Sequence, residues 1–275
     1  MVVIVLSTWI RNGILRMRCK AESQKNMVLI HSAGKDFQMG GDGSVTPHTV
    51  RFAYDFRIGR YEVTQGEYRQ AVGENPSYFN CSDNLPVEMV TWYDAVLYCN
   101  ARSKIEGYDT VYCFKVSGKT ETGEKELSNV ENHYEKKGFR LPTEAEWEFA
   151  CRSELKSDCN LGKDTQNIGD YCWYFDNSLG KTHKGGLKKP NMFGLYDMLG
   201  NVGEWCGDWF NIDNFGPYKE KGVAENPQGP KNGFGRVLRG GSGSNFARNC
   251  RCACRFGITP DFRDGNVGFR VVLVP

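Results

Sequence analysis

Three stretches of the chain carry a helical period of apolar positions behind a marked start. Thr64 precedes Gln65–Val72 with Glu67 three places on, and Thr143 precedes Glu144–Cys151 with Glu146 in the same relation. That spacing lets the hydroxyl accept from a backbone N–H while the carboxylate reaches back to the cap, so each predicts a capped helix. Thr91 with Asp94 is a near relative, and behind it Trp92, Ala95, Val96, Cys99 and Ala101 recur at helical spacing. This predicts a helix with one buried face, ending near Gly107. From Asn26 onward the remaining short apolar runs lie between glycine and asparagine turns and read as β segments. The polar, charged stretch between Thr110 and Gly138 predicts a hairpin or surface loop. After Gly169 the pattern changes to frequent aromatics among turn residues, with Tyr171, Trp173, Tyr174, Phe175, Phe193, Tyr196, Trp205, Trp209 and Phe210. Aromatics at that density can fill a core from irregular backbone, so long ordered loops are expected.

Neither a tandem repeat nor a proline- and serine-rich linker interrupts the chain, which predicts a single domain over 27–275 behind a leader or irregular segment, 1–26. With 275 residues, 40% of them hydrophobic and 25% charged, the composition is globular and disorder is excluded as the general state. The formal net charge is +2 and no basic block stands out, which argues against nucleic acid as a partner. Val2–Ile10, the longest uncharged apolar run, falls well short of the ~20 residues a membrane-spanning helix takes. Arg11, Arg16 and Arg18 follow that run, whereas a signal peptide places its positive charge first. Cys19, before polar Lys20–Ser23, is a candidate for lipid attachment, and membrane contact is expected only through such an anchor. The chain has 11 cysteines and no CxxC pair, so at least one thiol has no intrachain partner and zinc-ribbon chemistry is not indicated.

Four segments, taken together and in order, resemble the formylglycine-generating-enzyme, or sulfatase-modifying-factor, family: NMVLIHSAGKDFQMG at 26–40, RLPTEAEWEFA at 140–150, NMFGLYDMLGNVGEWCGDW at 191–209, and RGGS at 239–242 with GFRV at 268–271. The resemblance implies an α+β fold, a C-type lectin-like variant low in regular secondary structure. Read from its residues alone, 140–150 is the start of a buried helix, with Thr143 capping and Trp147 packed inward. Asp197 and Glu204 are two carboxylates on a glycine-containing turn, a donor set that can combine with carbonyls around a hard cation. The resemblance implies a structural calcium site there, with side-chain oxygens from Asp197 and Glu204 and carbonyls from Gly200 and Val202. The residues alone equally allow both carboxylates to bond the backbone of a tight turn.

In the enzymes of this family two cysteines, five positions apart just after the RGGS-like segment, hold copper, because paired soft thiolates select Cu(I). The corresponding stretch here, Gly243–Asn249, has no cysteine. No catalytic residue and no required cofactor is therefore expected. Cys250, Cys252 and Cys254 follow at alternate positions, which in an extended strand would aim all three to one face. Same-face neighbours in a strand lie ~7 Å apart, too far for one tetrahedral site or a disulfide. These three thiols are nonetheless the ligands of the alternative reading, a copper-dependent cysteine oxidase. Another branch of the family holds iron with histidines, but His31, His48, His133 and His183 lack ligand spacing.

The tail carries a separate signal. Lys, Glu, Gln, Met and Trp number 18, 18, 6, 7 and 6, yet none of them lies between Gly243 and Val267, where roughly six would be expected at ordinary usage. Those five are the residues that a codon ending in cytosine cannot encode. The pattern resembles the variable proteins of diversity-generating retroelements, in which adenines of AAC codons are randomised; the treponemal type combines such a tail with a formylglycine-enzyme-like fold. The resemblance implies a variable region at about 243–267, with Gly243, Ser244, Asn245, Phe246, Cys252, Cys254, Phe256, Gly257, Ile258, Phe262, Asp264, Gly265 and Asn266 as the changing positions, pointing to solvent. Arg251, Arg255, Asp261, Arg263 and Arg270 would be fixed positions that pair with backbone or acid partners. The expected function is non-catalytic: a receptor- or adhesin-like protein, displayed at the cell surface or outside the cell, binding a protein or other macromolecule through that tail. A structural surface lipoprotein of the same fold is the further alternative.

Overall fold

The computed structural model describes residues 25–41, 47–120, 123–153, 165–211 and 222–274. Cys19, most of the 1–26 leader and Cys159 lie outside the described residues. Strands β1 (Met27–Ile30), β2 (Asp36–Met39), β3 (His48–Arg51) and β4 (Phe56–Gly59) precede helices α1 (Gln65–Val72) and α2 (Trp92–Glu106). Then come β5 (Tyr112–Lys119), β6 (Lys125–Asn132), β7 (Phe139–Arg140) and α3 (Glu144–Arg152). The second half supplies β8 (Gly203–Phe210), β9 (Val223–Glu225), β10 (Gly235–Arg239), β11 (Arg255–Ile258), β12 (Val267–Gly268) and β13 (Val272–Leu273).

All three helices start on the residues the sequence marks. Thr64, Thr91 and Thr143 each accept from the N3 backbone N–H while the N3 carboxylate returns a bond to the cap. Gly107 closes α2 in the left-handed conformation. The α2 helix departs from the one-faced expectation: Tyr98, Asn100, Arg102, Ser103 and Glu106 are buried along with the predicted stripe, while Ala101 is half-buried. It is covered by α1, β6 and β7, and several of its polar groups are paired inside that cover. Arg102 bonds Glu106 at 2.9 Å, and the Asn100 amide donates to the Tyr112 carbonyl at 2.8 Å. The charged excursion folds as predicted into the antiparallel pair β5–β6.

Two four-stranded sheets run β1-β4-β13-β7 and β11-β10-β8-β12, and a three-stranded sheet runs β2-β3-β9. Within the second sheet β11 and β8 flank β10 antiparallel, whereas the short β12 joins β8 in parallel. One apolar cluster gathers Phe52, Trp147, Cys206 and Val237, and the other gathers Trp92, Tyr98, Trp205 and Phe269. Long loops between 165 and 202 carry Cys172, Leu195, Met198 and Leu199 into the first cluster, as the aromatic, turn-rich pattern requires. No helix among the described residues is long and apolar enough to cross a membrane.

Candidate binding face

Helix α3 is a buried charge anchor, which its bland reading as a helix start did not foresee. Glu144, Glu146 and Glu148 are all buried, and each meets arginine. Arg140 grips Glu146 through two bonds of 2.7 and 2.6 Å, and Tyr54 adds its hydroxyl at 3.0 Å. Burial works against that charge, but the Arg140 guanidinium holds the Glu146 carboxyl below the usual carboxylate range. Glu148 is shared by Arg152 and Arg239, while Glu144 accepts from two guanidinium nitrogens of Arg255, each at 2.6 Å. Arg239 also donates to the Cys254 carbonyl at 2.6 Å. Two arginines, Arg239 ending β10 just before the tail and Arg255 opening β11 within it, are thus fixed to a single helix.

Between those anchors the chain makes a tight exit from β10. Gly241 is left-handed (φ 70°), and a Cβ there would sit 2.8 Å from the Cys250 sulfur, so no larger residue fits. Gly243 is buried; its N–H donates to the Asn201 carbonyl at 2.9 Å and its carbonyl accepts from Ser178 Oγ at 2.6 Å. Ser244 and Phe246 then emerge, with Phe246 48% exposed. The Phe246 ring lies 5.1 Å from that of Phe175, itself exposed, and Arg248 sits over it at 5.0 Å. Asn245 is half-buried, its carbonyl accepting from the Phe175 N–H at 2.9 Å.

The tail is not extended over 250–254. A 3-10 turn at Ala247–Asn249 and a second turn closed by the Cys254 N–H on the Arg251 carbonyl (3.1 Å) replace the strand that alternate spacing suggested. The three thiols therefore do not share a face. Cys250 and Cys252 enter the core and Cys254 is half-buried. This corrects the solvent-facing assignment of Cys252, and Gly243 is corrected with it. Phe256 and Ile258 are half-buried, packing on the second apolar cluster, because β11 is an edge strand laid against β10. Gly257 lies under Phe210, where a Cβ would come 2.2 Å from the ring.

Past β11 the turn at 259–266 crosses to β12. Phe262 is 40% exposed, and a Cβ on Gly265 would meet only ordinary contacts, at 3.6 Å from Phe79 and 4.0 Å from Tyr78, which is 74% exposed. Asp264 and Asn266 are half-buried and hold the turn. The Asp264 carboxylate accepts from the Asn266 N–H at 2.9 Å, and the Asn266 carbonyl accepts from Gly203 N–H at 2.7 Å. Of the expected fixed positions, Arg251 donates to the Arg248 carbonyl at 2.7 Å, Arg263 pairs with Glu124, and Asp261 is exposed.

The quartet assigned to calcium does not fit a calcium cage. Both Glu204 oxygens accept from Arg270 at 2.6 Å, and one also takes the Trp147 indole N–H at 2.7 Å. Gly200 serves the turn by donating its N–H to the Gly240 carbonyl, and Val202 donates its N–H to Glu62. Of the four carboxylate oxygens only Asp197 Oδ1 is left, buried and without a donor, and no group of three Asp, Glu, His or Cys side chains among the described residues could hold a metal. Glu204 is instead the partner of Arg270, and Glu62, which the sequence reading passed over, is the third carboxylate beside them.

This cluster makes stability depend on pH. Burial, with the Glu204 charge, pushes the Asp197 carboxyl up to about 6 against the Gly186 N–H and Arg270, and burial with the Asp197 and Glu204 charges lifts Glu62 well above the carboxylate range. A carboxyl whose folded pKa is raised binds more proton when folded, so its stabilising share is present at low pH and lost as pH climbs through about 6. Asp197→Asn keeps the Gly186 bond and suits the left-handed backbone at 197 (φ 53°). It is expected to raise unfolding free energy at pH 8 by about 2 kcal/mol and to flatten the decline between about pH 4 and 7, read by urea titration from pH 4 to 8. A loss of stability at pH 8 would contradict this assignment.

A family profile described as the sulfatase-modifying factor enzyme 1-like domain matches residues 15–274. The structure superposes on Treponema denticola variable protein 1 with a TM-score of 0.79 and 35% identity, covering 90% of this chain and 95% of the other. The chaperone protein LppX of Paenibacillus barcinonensis is 34% identical over 208 residues, 68% of this chain and 69% of its own. The formylglycine-generating enzyme of Mus musculus is 31% identical over 225 residues, which is 76% of this chain but 49% of the enzyme, so the chain spans about half the length of that relative. The α+β fold of the formylglycine-generating type expected from the sequence is the one found, and the similarity to a variable protein is likewise found.

Proposed function

The chain belongs to the sulfatase-modifying factor enzyme 1-like family, and from that premise we propose that it is a non-catalytic binding protein whose tail, at about 243–267, forms the contact surface. Membership alone does not decide catalysis, because similar proteins include a formylglycine-generating enzyme, a chaperone and a variable protein. One observation carries the reading: aromatic side chains stand exposed at Phe246 and Phe262 on a tail tied to α3 by Arg239, just before it, and by Arg255, within it. Large, stiff side chains on a fixed base give contact area at small entropy cost. Tyr78 and Phe175 extend the exposed aromatic surface beyond the tail. The ligand class is a folded macromolecule, since exposed aromatic side chains spread over this face offer contact area. Diversification by a retroelement and display at the cell surface are part of the same proposal, and neither calcium nor copper is needed for contact.

The test is a displayed library randomised at Ser244, Asn245, Phe246, Phe262 and Gly265. Members are expected to fold and to yield binders against unrelated folded proteins. A library in which folding collapses, or from which no binder emerges, rejects the proposal. Copper titration with oxygen consumption on a cysteine peptide tests the oxidase alternative in parallel; stoichiometric copper with turnover would decide for the enzyme. In the gene's surroundings the proposal expects a reverse transcriptase and a near-copy of the tail that differs only where the copy carries adenine.

A further inference from the structure

Glu88, in the connection between α1 and α2, is a fully buried carboxylate with one oxygen unused. Its Oε1 accepts from the Phe79 N–H at 2.7 Å, and its main chain exchanges two bonds with Ser77 Oγ, receiving at the carbonyl and donating from the amide. Oε2 is buried with no hydrogen-bond partner, and no lysine or arginine is paired with the carboxylate among the described residues. Burial raises the Glu88 carboxyl above its usual range, against the amides of Phe79 and Tyr78, and the Asp264 charge adds to the rise. Leaving a buried acceptor unpaired is costly, so its surroundings carry the interest. What Oε2 faces is the tail. A Cβ built on Gly265 would lie 3.7 Å from it, with Phe79 at 3.6 Å and Tyr78 at 4.0 Å. Those are ordinary contacts, and Gly265 is not one of the left-handed glycines, so its backbone takes an L side chain without strain. The Met89 N–H donates to the Asp264 carbonyl at 3.0 Å, which fixes the two segments against each other.

We propose that Glu88 is the positioning residue for tail position 265: its Oε2 is a fixed acceptor for a hydroxyl or amide donor carried there, and it turns away a carboxylate. The inference rests on reading 265 as a changing position and says which side chains that position can present in order. A Ser or Thr hydroxyl, one bond beyond Cβ, and an Asn amide, two bonds beyond, can each close the 3.7 Å gap to hydrogen-bond length. All three are within the fifteen residues an AAC-derived codon reaches. Asp is too, and it would set a third carboxylate beside Glu88 and Asp264. A bonded donor has its rotamer set, so it joins the Tyr78–Phe79 aromatic pair, with ring centroids 4.9 Å apart, as one ordered patch. Contact made there then carries a smaller ordering cost.

The experiment displays the full chain with position 265 alone randomised, treats it with protease at pH 8 to favour the charged carboxylate, and sequences the intact fraction. No ligand enters, so this result and the yield of binders fail independently. Ser, Thr and Asn are expected to survive better than Ala, and Asp to fall ~10-fold behind Asn. Repeating the library on Glu88→Gln tests the role itself. Gln keeps an acceptor for the Phe79 N–H and puts an amide donor where Oε2 was, so Asp should recover to within about twofold of Asn. Purified Gly265→Asn should melt ~2–4 °C above Gly265→Ala, and Gly265→Asp below it. These purified variants decide alone if Glu88→Gln does not fold. Equal survival and melting of Asn and Asp, or a depletion of Asp that Glu88→Gln leaves unchanged, overturns the proposal.

Discussion

Replacement of Arg270 by alanine is expected to lower the unfolding free energy by about 3–5 kcal/mol, the cost of leaving buried carboxylates without their cation. Arg270 is fully buried; it holds Glu204 through two bonds of 2.6 Å and donates to the carbonyls of Gly59 and Tyr196 at 3.0 Å. Those carbonyls lie on β4 and on the 191–202 turn, so one side chain ties the first sheet, the turn and β8 together. Glu62 and Asp197 crowd the same site, and without the guanidinium three carboxylates would face one another in a dry interior. A melting temperature lower by roughly 10 °C, and a urea midpoint shifted to match, are the readouts. Arg270→Lys keeps the charge but not the fork and should fall between the two. An alanine variant that melts within ~2 °C of the parent would mean that Arg270 is not what holds this cluster together.

Much of the fold was legible because its signals are local. A cap at Thr64, Thr91 or Thr143 is decided by residues three apart, and a left-handed Gly107 by its missing Cβ. The charge anchors were not legible. The 140–150 segment read as a capped, buried helix start, with no sign that Glu148 and Glu144 take Arg239 and Arg255, which lie about a hundred residues away. Arg140 and Arg152 alone stood near enough to suggest a pair, and of the arginines in these clusters only Arg255 and Arg270 were among the fixed positions expected to find backbone or acid partners. The same distance hid the contact of Cys151 with Cys252. Alternate spacing at 250, 252 and 254 implies one face only if the backbone is extended, and here two turns intervene. Calcium was inferred from a turn whose sequence shows Asp197 and Glu204 but not the arginine, 66 residues beyond Glu204, that occupies one of them.

Cys252→Asp is the sharper test of where the changing surface stops. Aspartate is one of the fifteen residues an AAC-derived codon can reach, so a tail that varied freely at 252 would sample it. At 0% exposure and against Cys151, that carboxylate would be buried with no cation assigned to it, and a loss above about 3 kcal/mol is expected. Ser244→Asp and Phe262→Asp, at exposed positions, should stay within about 0.5 kcal/mol of the parent. The two glycines divide in the same way: Gly265 has room for a side chain, whereas any residue at 257 must displace the Phe210 ring. Thermal melts of these variants, with near-ultraviolet circular dichroism for the aromatic packing, separate contact positions from supports. If Cys252→Asp melts with the parent, then position 252 yields to substitution as the surface does, and the boundary drawn here between a changing rim and an unchanging base is in the wrong place. If it collapses while Ser244→Asp holds, diversity at this tail is confined to the side chains that the two anchored arginines lift clear of the core.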